Sequence, residues 1–234
     1  LSSSSAASDV YKRQIYNTAT GFTADTFEQV TAADPTQIIA VNQAVDARTK
    51  GSLEEIAPTT VKPNGYEDWQ VPWEKQVETI ADAVGKKDEG DKLIDDTEKA
   101  FEEFRHEHAE LQDKSAAIVM PYDGKIGLYT EEDGRGQFIE DLGMEIPDAL
   151  QGDGGSFFVD IAPENYAKLN QVDYLFVLDY NGSSDALKKD KTFQGLDIVK
   201  DDRVRYLDTD TGNAMSMPNP VTIPWAVDKF EEKL

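Results

Sequence analysis

The sequence predicts an α/β protein built as two lobes joined by one long helix. Three observations carry this reading. The stretch 88–112, DEGDKLIDDTEKAFEEFRHEHAELQ, places Leu93, Thr97, Ala100, Phe101, Phe104, His108 and Leu111 at three- and four-residue steps. That spacing is one apolar face of a helix about 37 Å long. Short apolar strand patterns alternate with helical ones on both sides of it, which favours parallel sheets. Finally, EQVTAADPTQIIAV (28–41) aligns without gaps to ENYAKLNQVDYLFV (164–177), one copy on each side of the helix. This is either an internal repeat or a chance likeness between two helix–strand units.

Residues 1–14, LSSSSAASDVYKRQ, lack periodicity and resemble translated adapter sequence. They are read as a non-native leader, with the natural N-terminus missing. The first lobe, 15–87, is then partial. After an opening loop come a short helix from 27, a turn at Asp34-Pro35 and a strand at 37–41. A helix at 45–58 precedes a strand at 59–61 and an aromatic loop at 62–72. The helix at 72–85 has Pro72 at its start and Gly85 at its end, the residues those positions favour. The spine helix is expected over 88–113. Asp88 with Lys92 and Asp95 with Lys99 would pair on its charged face, and Gly90 would weaken its first turn.

The second lobe, 114–234, opens with a strand at 115–120, which turns at Asp123-Gly124 into another at 125–129. A helix at 137–143, a mobile Gly-rich loop at 151–156, a helix at 163–169 and a strand at 173–179 follow. Next come a helix beginning within NGSSDALKKD, a strand at 204–208, a loop at 209–220 and a closing helix at 221–234.

The chain has 234 residues, 46 acidic and 23 basic, for a net charge of −23 and no cysteine. A surface this acidic argues against binding nucleic acid or anionic membrane. Without cysteine there are no disulfides, thiolate nucleophiles or cysteine-held metals. Neither a phosphate-binding GxxxxGK[ST] loop nor a GxSxG elbow occurs. DTDTGN (208–213) has calcium-loop spacing at first, but Gly212 stands where a further ligand is wanted. His106 and His108, two apart on a helix, point away from each other and cannot readily chelate one ion. Aromatics, Met and Arg fall in loops or at element ends: Tyr66, Trp69, Tyr129, Arg135, Tyr180, Met215, Met217 and Trp225. Tyr129 and Tyr180 directly follow strands, where α/β sheets bind ligands. Each alone is as well explained by packing; together they could line a cleft.

Several stretches resemble one family. PWEKQVETIADAVGKKDEGDKLIDD is similar to the PWxEQ…IAxALG…EAxxLI stretch of iron–siderophore ABC-transporter substrate-binding proteins. LEEIAPTT (53–60), EEDGRGQFIEDLGMEIP (131–147) and MPNPVTIPWAVDKF (217–230) resemble further motifs of that family, in the same order. The likeness covers nearly everything after residue 15. It implies two Rossmann-like lobes joined by a rigid helix, a ligand held between them, and a first lobe lacking its first strand and helix. It implies a binding protein and not an enzyme, extracytoplasmic, periplasmic or lipid-anchored, and monomeric. The ligand would be a ferric siderophore of hydroxamate type, with no resident cofactor or metal. The expected ligand-binding residues are Arg48, Trp69, Tyr129, Arg135, Tyr180 and Met215. Glu28 and Glu164, each read as opening a short helix, match the glutamates that dock on an ABC permease dimer. A cobalamin or haem receptor of the same fold, or a small-molecule α/β enzyme, are the alternatives.

Overall fold

The computed structural model describes residues 22–234, so the leader expected at 1–14 lies outside the described residues. Helix α1 (Ala24–Ala32) starts on a reciprocal Thr23–Thr26 capping box. Strand β1 (Ile38–Ala40), helix α2 (Ala47–Glu54) and strand β2 (Thr59–Val61) follow, with Asp46 capping α2 by accepting from the Thr49 N–H at 2.7 Å. β1 and β2 pair in parallel, Ile38 opposite Thr59, as a two-stranded sheet. Helix α3 (Trp73–Ala83) then leads into the long helix α4 (Lys87–Glu107).

α4 is shorter than the apolar pattern suggested. The backbone leaves helical geometry at His108 (φ −114°, ψ 51°), and Ala109–Leu111 is a separate 3₁₀ turn. His108 stacks on Phe104 at 4.6 Å and bonds Glu231 at 2.9 Å. The charge pairs also differ from expectation. Lys92 and Lys99 both reach Asp96, and Lys87 reaches Asp91 at 3.0 Å. All are exposed, so each contributes little to stability. Gly90 is not a flaw in the helix. A Cβ there would come 2.4 Å from the Ala81 Cβ, so glycine is what lets α3 and α4 touch.

The remaining strands are β3 (Ala116–Tyr122), β4 (Lys125–Tyr129), β5 (Phe158–Ile161), β6 (Tyr174–Asp179) and β7 (Val204–Asp208). They form a second sheet in the order β5-β4-β3-β6-β7. β1 therefore lies in a different sheet from β3 and β6, on the other side of α4 in the chain. β3, β6 and β7 pair in parallel, while β4 pairs antiparallel with both β3 and β5, so β4 alone runs against the other four. The reason is local. Asp123 and Gly124 both have positive φ (45° and 75°), the conformation that reverses the chain in a two-residue hairpin.

Helix α5 (Gly134–Asp141) lies between β4 and β5, and α6 (Ser184–Lys189), α7 (Lys191–Gln194) and α8 (Asp197–Lys200) between β6 and β7. Residues 163–171 form a 3₁₀ helix, Pro163–Gln171. The loop expected at 209–220 is instead largely helix α9 (Thr209–Ser216), followed by α10 (Thr222–Glu231). Asp208 starts α9 by accepting from the Thr211 N–H at 2.9 Å. That cap uses the carboxylate which the calcium-loop spacing had suggested as a ligand.

Side chains alternate across the five-stranded sheet. Ile118, Phe176 and Leu178 pack with Phe101, Phe104, Phe138 and Phe230 on one face. Ala117, Val119, Leu175 and Val177 pack with Tyr166 and Phe193 on the other. Trp73, the first residue of α3, is 2% exposed and belongs to the first of these clusters. The larger core thus runs across the expected boundary at 87/88.

Asp141, at the end of α5, faces Trp73 and Glu74 across this seam. Burial, and then the Glu74 charge, push its carboxyl up to about 7 from an ordinary 3.8. The folded protein therefore keeps a proton that the unfolded chain has released above pH 3.8, and stability falls as pH rises from there through about 7. Asp141→Asn should raise stability at pH 8 by about 1–3 kcal/mol and change it little near pH 4. Thermal melts of both proteins across that range check this.

Candidate functional site

Asp133 and Arg135 organise the site. Asp133 caps α5 by accepting from the Arg135 backbone N–H at 2.9 Å. The same carboxylate receives Nη1 of the Arg135 guanidinium at 2.9 and 3.0 Å. The guanidinium carbon stands 4.0 Å from the centre of the Tyr129 ring, a cation–π contact. Burial works against the Arg135 charge, but the Asp133 carboxylate beside it holds its pKa above the ordinary value. Burial pushes the Tyr129 phenol up to about 12, so it stays neutral.

Tyr180 follows β6 in a 3₁₀ turn, Tyr180–Gly182, and lies within electrostatic reach of both Tyr129 and Arg135. Its hydroxyl and the Arg135 Nε are buried with no hydrogen-bond partner. Tyr180 is close enough to Arg135 to support its charge as a hydrogen-bond partner, so a small shift pairs these two atoms with each other.

An aromatic row continues from Tyr129 across the sheet. Its ring meets Phe158 of β5 at 5.3 Å, and Phe158 meets Tyr122 of β3 at 5.5 Å. The Tyr129 hydroxyl donates to the Met120 sulfur at 3.6 Å. Phe158 packs against Gly127, where a Cβ would fall 1.9 Å from the end of the ring. Exposed Phe157 extends the row. Met120, Tyr122, Phe157 and Phe158 were not among the residues expected from sequence. The one signal was Gly127 inside a strand pattern, which marks a close approach.

The other expected residues separate. Met215 is 0% exposed, inside the core, because α9 forms where a loop was expected; it packs and does not wall an open cleft. Arg48 is exposed in the first turn of α2, with Asp46 as its charged neighbour. Trp69 is 42% exposed and has φ +69°, unusual for a bulky residue. Glu28 and Glu164 are both exposed. Glu164 is in the first turn of its 3₁₀ helix, as expected. Glu28 is not: the Thr23 cap starts α1 early, leaving Asp25 in the first turn and Glu28 in the second.

Among the described residues no group of three or more His, Asp or Glu could hold a metal ion, and no helix is long and apolar enough to cross a membrane.

A family model described as "Periplasmic binding protein" matches residues 3–211. A search of curated proteins finds no match. Among solved structures, the iron uptake ABC transporter substrate-binding protein PiaA from Streptococcus pneumoniae TIGR4 is 25% identical. The match covers 88% of this chain and 72% of PiaA, with a TM-score of 0.75. A second PiaA structure, in complex with ferrichrome, matches equally, over 88% and 71% at TM-score 0.75 and 25% identity. A periplasmic solute binding protein from Mycobacterium smegmatis matches at TM-score 0.76 and 24% identity, over 88% and 70%.

The site stands on α5 lying tight against the end of β4. A Cβ at Gly136 would come 1.9 Å from the Thr130 carbonyl oxygen, a backbone atom that cannot give way. Gly136→Ala should therefore destabilise by about 2 kcal/mol or more and displace Arg135. Denaturant unfolding, with near-ultraviolet dichroism to follow Tyr129, measures both.

Proposed function

Because the chain belongs to the periplasmic binding protein family, we propose that it is an extracytoplasmic receptor for a ferric siderophore of hydroxamate type, which it delivers to an ABC importer. The chain is a binding protein and not an enzyme. The observation that supports the ligand reading is the Arg135 guanidinium held over the Tyr129 ring beside Tyr180, with only its Nη1 taken by Asp133.

Iron in a siderophore is already coordinated by the small molecule. The receptor then needs aromatic walls and donors for the chelate's outer oxygens, and no metal ligands of its own. Tyr129, Tyr122 and Phe158 form such a wall, and the Arg135 guanidinium beside Tyr180 supplies the donors. The charge balance favours a neutral chelate. Asp133 already neutralises Arg135, and Glu131 and Glu132 lie next in the chain. Three hydroxamates cancel the charge of ferric iron, whereas catecholate and carboxylate chelates remain anionic and would meet no spare positive charge. PiaA, one of the matched proteins, has been solved with ferrichrome, which supports the same reading.

Docking on a permease dimer would use Glu28 and Glu164, one from each side of α4. Their exposure supports this. For Glu28 the helix dipole offers no competing explanation, since it stands outside the first turn.

Two measurements test the proposal. Ferrichrome should quench tryptophan fluorescence saturably, and Arg135→Ala should weaken binding by about 1.5–3 kcal/mol. Absence of binding by the folded protein, or unchanged affinity in a folded variant, would remove the ligand assignment. In a transport assay, Glu28→Lys and Glu164→Lys should each reduce uptake while leaving affinity intact, the double variant most. Normal uptake by the double variant would end the docking assignment.

A further inference from the structure

We infer that Gln70 is a strap between the lobes: its side chain ties the Gly-rich loop 151–156 to the N-terminal side of the cleft and positions Trp69 at the seam. Gln70 is 8% exposed, and its Nε2 donates to the Gly155 carbonyl oxygen at 3.2 Å, eighty-five residues away. Nothing in the sequence singled it out, and the loop itself read as a plain mobile connection.

Both ends of the strap are built. On its own side, the Val71 N–H donates to Asn42 Oδ1 at 3.4 Å, and Gln76 Nε2 donates to the Val71 carbonyl at 2.7 Å. These bonds fix the backbone one residue beyond Gln70. The turn before it is closed by the Gln70 N–H, which donates to the Glu67 carbonyl at 3.3 Å. Trp69 is caught between these constraints and adopts φ +69°. A bulky residue takes that conformation only when its surroundings enforce it.

On the other side, the loop is anchored at its two ends. Gln151 Nε2 donates to the Ile146 carbonyl at 3.1 Å, and the Thr130 hydroxyl donates to the Ser156 carbonyl at 2.6 Å. Between these anchors, Gly152, Gly154 and Gly155 all have positive φ, and a Cβ at Gly154 or Gly155 would meet nothing. Among the described residues, the hydrogen bond from Gln70 is the one made to 152–155. The loop is also a wall of a cavity of about 280 Å³, lined further by Thr130, Glu131, Glu132 and Asp148. Parting the lobes at this point therefore means breaking the Gln70 bond and freeing that wall. This inference concerns the lobes alone and stands whatever the ligand is.

The test needs no ligand. Gln70→Leu keeps the size and removes the donor; Gln70→Asn, one methylene short of reaching Gly155, is the second variant should the first not fold. Backbone ¹⁵N order parameters of Gly154 and Gly155 should fall toward the flexible range, below about 0.6, with those of β6 unchanged. The protein has three tryptophans. After 5-fluorotryptophan labelling, the ¹⁹F line of Trp69, assigned by Trp69→Phe, should shift while those of Trp73 and Trp225 stay. Unchanged loop order parameters in a folded variant, or a general loss of order with all three lines moving, would overturn the inference.

Discussion

A guanidinium stays charged however enclosed it is, so at the edge of this sheet the burial cost of Arg135 is offset chiefly by Asp133 beside it. Removing one partner of a buried pair leaves a charge that costs about 3–5 kcal/mol. Asp133 holds Nη1 through both its oxygens and, with the same group, caps the helix that carries Arg135. Helix start, charge neutrality and aim of the fork are therefore one arrangement. Tyr129 beneath the guanidinium and Gly136 against Thr130 complete it. With the charge cancelled internally, the site holds an oriented guanidinium over an aromatic ring with little net positive potential.

The frame behind this site is held by contacts that ignore the lobe boundary. Trp73 enters the core formed by Phe101 and Phe138, and Gly90 brings α4 into contact with α3. α3 and α4 are thereby fastened to the larger sheet, leaving the short β1–β2 sheet and its loops on the other side. A hinge that hangs on a tryptophan in a core resists large rotation. Adjustments between the lobes then fall to thinner contacts such as Gln70 with Gly155.

Much of this was legible in the sequence. Strands 59–61, 125–129 and 204–208 have the predicted bounds, because each is a short run rich in β-branched, aromatic or aliphatic residues. The helical face of 88–112 was legible at Thr97, Phe101 and Phe104, but Leu93 is 46% exposed and the last turn is not α-helical. What periodicity could not supply was pairing. β5 is four residues long, and the aromatic row through Phe158 exists only once β5 is set beside β4. Met215 was misplaced for a related reason: a single capping bond from Asp208 converts 209–216 from loop to helix and turns its side chain inward. Gly90 shows the limit from the other direction. Its local propensity reads as a weakness, and only the position of Ala81 reveals it as a contact.

The claim at the centre of this account is that a neutralised arginine over an aromatic floor selects a neutral chelate. The most direct measurement is the ratio of affinities for two ferric complexes of similar size, a neutral trihydroxamate and an anionic tricatecholate, by calorimetry at matched pH and salt. The account predicts that the neutral complex binds at least about 100-fold more tightly, a difference of about 2.7 kcal/mol. Equal affinities, or tighter binding of the anionic complex, would contradict it.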